Sequence, residues 1–178
     1  MIPHLYVEGG GDHNKSLATQ CRKAFAEFFQ KAGILKRPRV VACGGRSQAI
    51  DRFNGAIKSG EGPLLLIDSE GPAPAIAEAN TYYMVQAMEA WFHADRTVLH
   101  RYYGQHFRES ALSSRPNVEK IPKDDLFEGL KRATKDCKKG EYSKGQHSFE
   151  ILARIDPSAV RTSSPHTERL LTRLAAIE

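Results

Sequence analysis

Glu8, Asp68 and Glu70 are the residues of this chain whose types and settings could do chemistry together. Glu8 closes the short apolar run His4-Leu5-Tyr6-Val7. Asp68 closes a second run, Pro63-Leu64-Leu65-Leu66-Ile67, and Glu70 follows two residues later. Such runs, bounded by glycine and proline, read as strands, and in an open parallel sheet ligands collect outside the carboxyl ends of the strands. Carboxylates gathered there repel one another. A hard divalent cation is the simplest partner that stabilises them together, since it takes oxygen ligands and retains several waters. Gly9-Gly10-Gly11 has no side chains, which lets a backbone or a phosphate come close and leaves amides free to donate. Asp12 returns an acid four residues after Glu8. The expected metal set is Glu8, Asp12, Asp68 and Glu70, with Mg²⁺ or Mn²⁺, two ions, as the cofactor. The glycines read equally well as a plain turn, with Asp12 capping the helix beyond.

Other candidates surround this set. Glu89, in Met88-Glu89-Ala90-Trp91-Phe92, either approaches the same crevice as a further acid or faces solvent on a helix. Trp91 and Phe92 share that helix with Met88 and read as core rather than as base-stacking groups. Asp95 reads as a cap for the segment starting at Arg96. Six basic residues, Lys131, Arg132, Lys135, Lys138, Lys139 and Lys144, stand against Asp136 and Glu141 in one stretch. A run of this kind either follows a phosphate backbone or is a solvated face. Within it, Lys139 to His147 reads as a glycine-punctuated loop before a helix. Lys144 is placed there as a catalytic cation against a nonbridging phosphate oxygen, and His147 either contacts phosphate or bonds to backbone at the helix start.

The elements that must position these groups follow from periodicity. Leu17, Cys21, Ala24, Phe25, Phe28 and Ala32 recur at helical spacing and Gly33 closes the helix. Arg39 to Cys43 reads as a second strand, Ala49 to Ile57 as a helix ending near Gly60, and 63–68 as a strand without alternation, the pattern of a strand buried on both faces. Tyr82 to Gln86 reads as a fourth strand running into a helix. Beyond Gly104 the periodicity is helical over 124–137, 148–155 and 165–177, with Ser164-Pro165 as a cap and 112–120 as an irregular connector. The expected fold is α/β: one domain over 1–178, with a parallel sheet core at 1–104 flanked by helices and a helical layer at 105–178.

Composition sets the outer limits. The 178 residues, 40% of them apolar, suffice for one core without metal or disulfide staples. The three cysteines, Cys21, Cys43 and Cys137, have no zinc-ligand spacing and are expected to be reduced. No apolar stretch approaches a membrane span and Met1 leads directly into a strand, so a cytoplasmic protein with no membrane partner is expected. The net charge of +5 is compatible with an anionic partner and decides nothing alone.

Taken together, Val7-Glu8-Gly9 and Asp68-Ser69-Glu70 resemble the two motifs of the Toprim domain, shared by primases, topoisomerases and OLD-type nucleases. Asp12 falls where the OLD-type nucleases carry a second acid. Glu70 departs from the aspartate usual in the second motif, which keeps a carboxylate but alters its reach. A broader likeness covers almost the whole chain: Tyr6-Val7-Glu8-Gly9, Met84 to Asp95 and Lys144 to Leu152 are similar to a family of bacterial proteins encoded beside ABC-type or OLD-like ATPases in phage-defence loci. The resemblance implies a small Toprim effector working with a separate ATPase; from the residues, the first expectation is a metal-dependent nuclease acting on DNA or RNA in which Glu8, Asp68, Glu70 and Lys144 are catalytic. Oligomerisation is open. The competing expectations are a noncatalytic regulatory subunit of an ATPase complex and a small-molecule phosphotransfer enzyme.

Overall fold

The computed structural model describes residues 2–11, 13–76 and 78–177. Four strands, β1 (His4–Val7), β2 (Arg39–Ala42), β3 (Leu64–Asp68) and β4 (Thr81–Met84), form one sheet in the order β2-β1-β3-β4. All pairs are parallel, with Val7 opposite Ala42 on one side and Leu66 on the other, and Asp68 opposite Met84. The chain runs from β1 out to β2 through α1 (Lys15–Lys31), then returns past β1 to β3 through α2 (Arg46–Lys58). Direction therefore reverses between β1 and β3, the place where a doubly wound sheet opens its ligand crevice.

The two faces are covered unequally. Leu5, Val7, Leu64, Leu66, Tyr82 and Met84 point into the larger core, which α1 shares with α3 (Glu89–Ala94), α4 (Arg96–Tyr103), α5 (Lys123–Thr134), α6 (Lys144–Arg154), α7 (Pro157–Ser163) and α8 (Pro165–Ala175). Leu65, Ile67 and Tyr83 point to the other face, where Ala49 and Phe53 of α2 meet them. This accounts for the unbroken apolar run of β3: all five of its residues are buried. Trp91 is core as expected, its ring stacked 4.9 Å from Phe28 and edge-on to Phe25 at 6.3 Å. Pairs in these geometries add to what area burial alone contributes.

Helix ends are set by named caps. Asn14 caps α1 by accepting from Leu17 N at 3.0 Å, so the capping role that Asp12 offered belongs to Asn14. Asp95 caps α4 through Val98 N at 3.1 Å, and Ser164 caps α8 through Thr167 N at 3.2 Å. Several boundaries differ from expectation: β4 ends at Met84 rather than Gln86, and α5 at Thr134 rather than Cys137. Helix α6 begins at Lys144 rather than Ser148, which moves Lys144 and His147 from a loop onto its first turn. Helix α7, not foreseen, is a seven-residue piece opened by Asp156, whose side chain accepts from Ser158 N, with Pro157 at its first position. The connector at 112–120 carries a short 3₁₀ turn at Val118–Lys120, preceded by another at Glu109–Ala111. Among the described residues no helix is long and apolar enough to cross a membrane.

Candidate metal centre

Glu8 leaves the end of β1 with its N–H still donating to the Leu66 carbonyl at 3.0 Å, so the sheet ladder fixes its backbone. Its Oε2 accepts from the N–H of Asp68 at 3.0 Å, tying the ends of β1 and β3 together. Asp68 is 2% exposed. Its Oδ1 accepts from Met88 N at 2.9 Å, its Oδ2 lies 3.3 Å from Lys144 Nζ, and its backbone carbonyl accepts from the Arg46 guanidinium. Glu70 is not reached by extended chain. Its φ of 65° turns the backbone, its N–H donates to the Gln86 carbonyl at 2.9 Å, and its carboxylate takes a bond from Lys123 Nζ. A non-glycine residue in this left-handed region carries strain that the surroundings must hold in place.

The three acids meet. One carboxylate oxygen of each of Glu8, Asp68 and Glu70 lies within 4.8 Å of the others. All-oxygen donor sets of this kind suit a hard divalent cation, and the cluster could hold a metal ion. The electrostatics agree. Burial pushes the Asp68 carboxyl up to about 7, with Glu89 and Glu8 adding to the shift and Lys144 opposing it. Burial, then the charge of Glu70, raises Glu8 against the pull of the Asp68 N–H. Protons on both groups are therefore easier to keep than in water, and a cation must compete with them. For Lys144, burial lowers the ammonium pKa, but Glu89 and Asp68 outweigh it and the net shift is upward.

Glu8 and Asp68 open into a cleft of about 410 Å³ whose wall includes Gly9, Gly10, Gly11, Lys144 and Gly145. Gly9 and Gly44 exchange N–H···O bonds at 2.8 Å in both directions, which folds the loop after β1 onto the loop after β2. Gly10 has φ +91°, and a Cβ there would stand 3.0 Å from both the Ala18 Cα and the Ala42 Cβ. Only glycine fits that approach. Asp12, the fourth expected ligand, lies outside the described residues.

Glu89 does not face solvent. It is 0% exposed and accepts from the Tyr142 hydroxyl at 2.6 Å, with Lys144 Nζ 4.0 Å from its other oxygen. His147, expected as a contact for nucleic acid, is 3% exposed. Its Nδ1 accepts from Ser143 N at 3.0 Å among the rings of Tyr102, Tyr103 and Tyr142, so it buttresses the start of α6, and its Nε2 is buried with no hydrogen-bond partner among the described residues. Arg132, Lys135, Lys138 and Lys139 are exposed and Lys131 half-buried; none of the five lines the acid cleft. Lys131 pairs with Glu128 at 3.3 Å, and Lys139 stands 4.7 Å over the Tyr102 ring.

Sequence reasoning missed Lys123, Arg46 and Tyr142 as members of the site. Lys123 opens a helix remote in sequence, and nothing in Lys123-Asp124-Asp125 marks it as a partner for Glu70. Tyr142 stands two residues before Lys144, which is the one signal that could have found it. Residues 7–175 match a family model described as a domain of unknown function. No curated protein and no solved structure matches the chain.

Proposed function

The chain belongs to that family, DUF4276, and on this premise we propose that it is a metal-dependent nuclease that hydrolyses phosphodiesters in DNA or RNA. The observation that carries this reading is the convergence of the Glu8, Asp68 and Glu70 oxygens within 4.8 Å at the strand-order reversal, beside a glycine-walled cleft. Mg²⁺ or Mn²⁺, when bound, supplies an activated water and charge neutralisation at the phosphate, and the two-ion arrangement is the usual form of that chemistry.

The chain's own residues set the geometry. Glu8 and Asp68 are locked by the Asp68 N–H and the Met88 N–H, so their free lone pairs are aimed before a ligand arrives. The glycine loop admits a phosphate to the acids without steric cost. Lys144 places its ammonium against a nonbridging oxygen, and the N-terminal end of α6, which meets the cleft at Lys144 and Gly145, favours the same negative charge. Lys131, Arg132, Lys135, Lys138 and Lys139 then offer phosphate contacts for the strand beyond the cleft. The Toprim resemblance and the bacterial family encoded beside ATPases support an effector working with a partner ATPase in phage defence.

A second reading, a noncatalytic module of an ATPase complex, is favoured by one observation: Lys123 and Lys144 already stand against Glu70 and Asp68. Cleavage of labelled single- and double-stranded DNA and RNA in Mg²⁺ and in Mn²⁺ decides between them. The expected result is metal-dependent cleavage lost by at least about 100-fold in Glu8→Gln and Asp68→Asn with the fold retained, as for groups that act on the reacting phosphate. Unchanged cleavage in both variants, or none by wild type alone and with its ATPase partner, would refute the nuclease reading.

A further inference from the structure

One buried acid behind the cleft has no place in that chemistry. Glu89, the first residue of α3, is fully buried; its Oε1 takes the Tyr142 bond, and its Oε2 has no hydrogen-bond partner among the described residues. Lys144 Nζ lies 3.3 Å from Asp68 Oδ2 and 4.0 Å from that Oε2. A single ammonium therefore stands between two carboxylates, of which Asp68 lines the cleft and Glu89 does not.

A carboxylate taken wholly out of water persists only where charge and hydrogen bonds compensate it. Glu89 has one neutral donor and the more distant share of a lysine whose nearer bond is to another residue. A divalent cation at Asp68 would repel that ammonium at close range. The lysine must then leave Asp68, and the unfilled oxygen within reach is Glu89 Oε2. The Lys144 side chain is half exposed, and its neighbours keep this short transfer within reach. Tyr142 and Lys144 share one segment, the Tyr142 N–H is anchored on Thr134 Oγ1 at 2.7 Å, and the Phe127 ring lies 5.8 Å from Nζ.

We propose that Glu89, held by Tyr142, is a positioning residue that receives the Lys144 ammonium when a divalent cation occupies Asp68. The lysine is thereby kept at the edge of the cleft, charged and aimed, in the metal-loaded protein. This inference rests on the metal-binding reading of Glu8, Asp68 and Glu70. Glu89 acts through Lys144 and touches neither metal nor substrate.

The test is calorimetric titration of Mn²⁺ into wild type, Glu89→Gln, Lys144→Met and the double variant. Glu89→Gln is expected to weaken Mn²⁺ binding by about 10- to 100-fold, the range for residues that orient a metal site from outside it. Lys144→Met, which removes the competing cation, is expected to bind at least as tightly as wild type, and the double variant to return to the Lys144→Met level. A double variant as weak as Glu89→Gln would overturn the proposal, because Glu89 would then act on the metal directly. Wild-type affinity in Glu89→Gln would overturn it as well. Absence of Mn²⁺ binding by wild type would instead fail the metal reading itself, and this inference with it.

Should Glu89→Gln not melt cooperatively, lysine-ammonium NMR of wild type during Mg²⁺ titration gives the answer. A Lys144 signal that shifts yet stays distinct supports the transfer, and one that merges with the free lysines refutes it.

Discussion

His93 and Asp68 show how two buried ionisable side chains bend the stability of this protein in opposite directions. His93 is 3% exposed, and its Nε2 bonds the Leu126 carbonyl at 3.0 Å, so the ring is the neutral tautomer with Nε2 donating. Burial, helped by the charge of Arg96 and opposed by the Leu126 bond, lowers its pKa to about 4. Below the ordinary value of 6.5 the unfolded chain takes up a proton that the native ring refuses. Its contribution is therefore present above pH 6.5 and lost as pH falls toward 4, by about 3 kcal/mol in all. Asp68, pushed up to about 7, runs the other way: it holds its proton better folded than unfolded, and stability falls as pH rises through that window. The wild-type profile sums the two, so the variant isolates the histidine's share. Urea melts of His93→Gln and wild type between pH 7 and pH 4 should show the variant losing less stability on acidification; parallel profiles would refute the assignment.

At the level of elements, Asp95 joins two helices with one carboxylate. Oδ1 caps α4 through Val98 N, and Oδ2 accepts from Asp156 N at 2.9 Å, at the residue that opens α7. Replacing it with alanine takes the acceptor from two partly buried amides, which should cost about 1–3 kcal/mol at roughly 0.5–1.5 per lost cap or bond. Thermal unfolding of Asp95→Ala tests this, and a change below about 0.5 kcal/mol, the range of an ordinary surface substitution, would refute it. The cap on α4 was legible in the sequence, as were all four strands, because short polar side chains before apolar periodicity and apolar runs between glycines are local signals. Helix α7 was not read, since seven residues give too few turns for a period to emerge, although Asp156-Pro157 marks its start. The start of α6 was misplaced because its first turn, Lys144-Gly145-Gln146-His147, carries no apolar residue. His147 is buried through tertiary packing against three tyrosines that no local pattern announces. The acids at the strand ends could be read because strand termini in a parallel sheet converge by topology. Their lysine partners could not, because Lys123 and Lys144 arrive from helices far along the chain.

For the whole molecule, the sheet topology brings Glu8, Asp68 and Glu70 together, with Lys144 and Lys123 as their monovalent partners. A divalent ion that binds the folded site and not the unfolded chain stabilises the fold by mass action, about 2.7 kcal/mol at a hundred times its dissociation constant. Thermal melts at pH 8 should rise with added Mn²⁺ in wild type and stay flat in Asp68→Asn; an equal rise in both would place the ion elsewhere. The sheet also distributes rigidity among the donors. Glu8 and Asp68 leave β1 and β3, the inner pair, each paired on both sides. Glu70 belongs instead to the link from β3 to β4, where its backbone turns through the left-handed region and its carboxylate is half in solvent. Two jaws of the clamp are thus set in masonry, and the third is fastened, among the described residues, only by its bonds to Gln86 and Lys123. Whatever displaces Lys123 from Glu70 therefore alters one donor alone, with no strand in the sheet having to part from its neighbour.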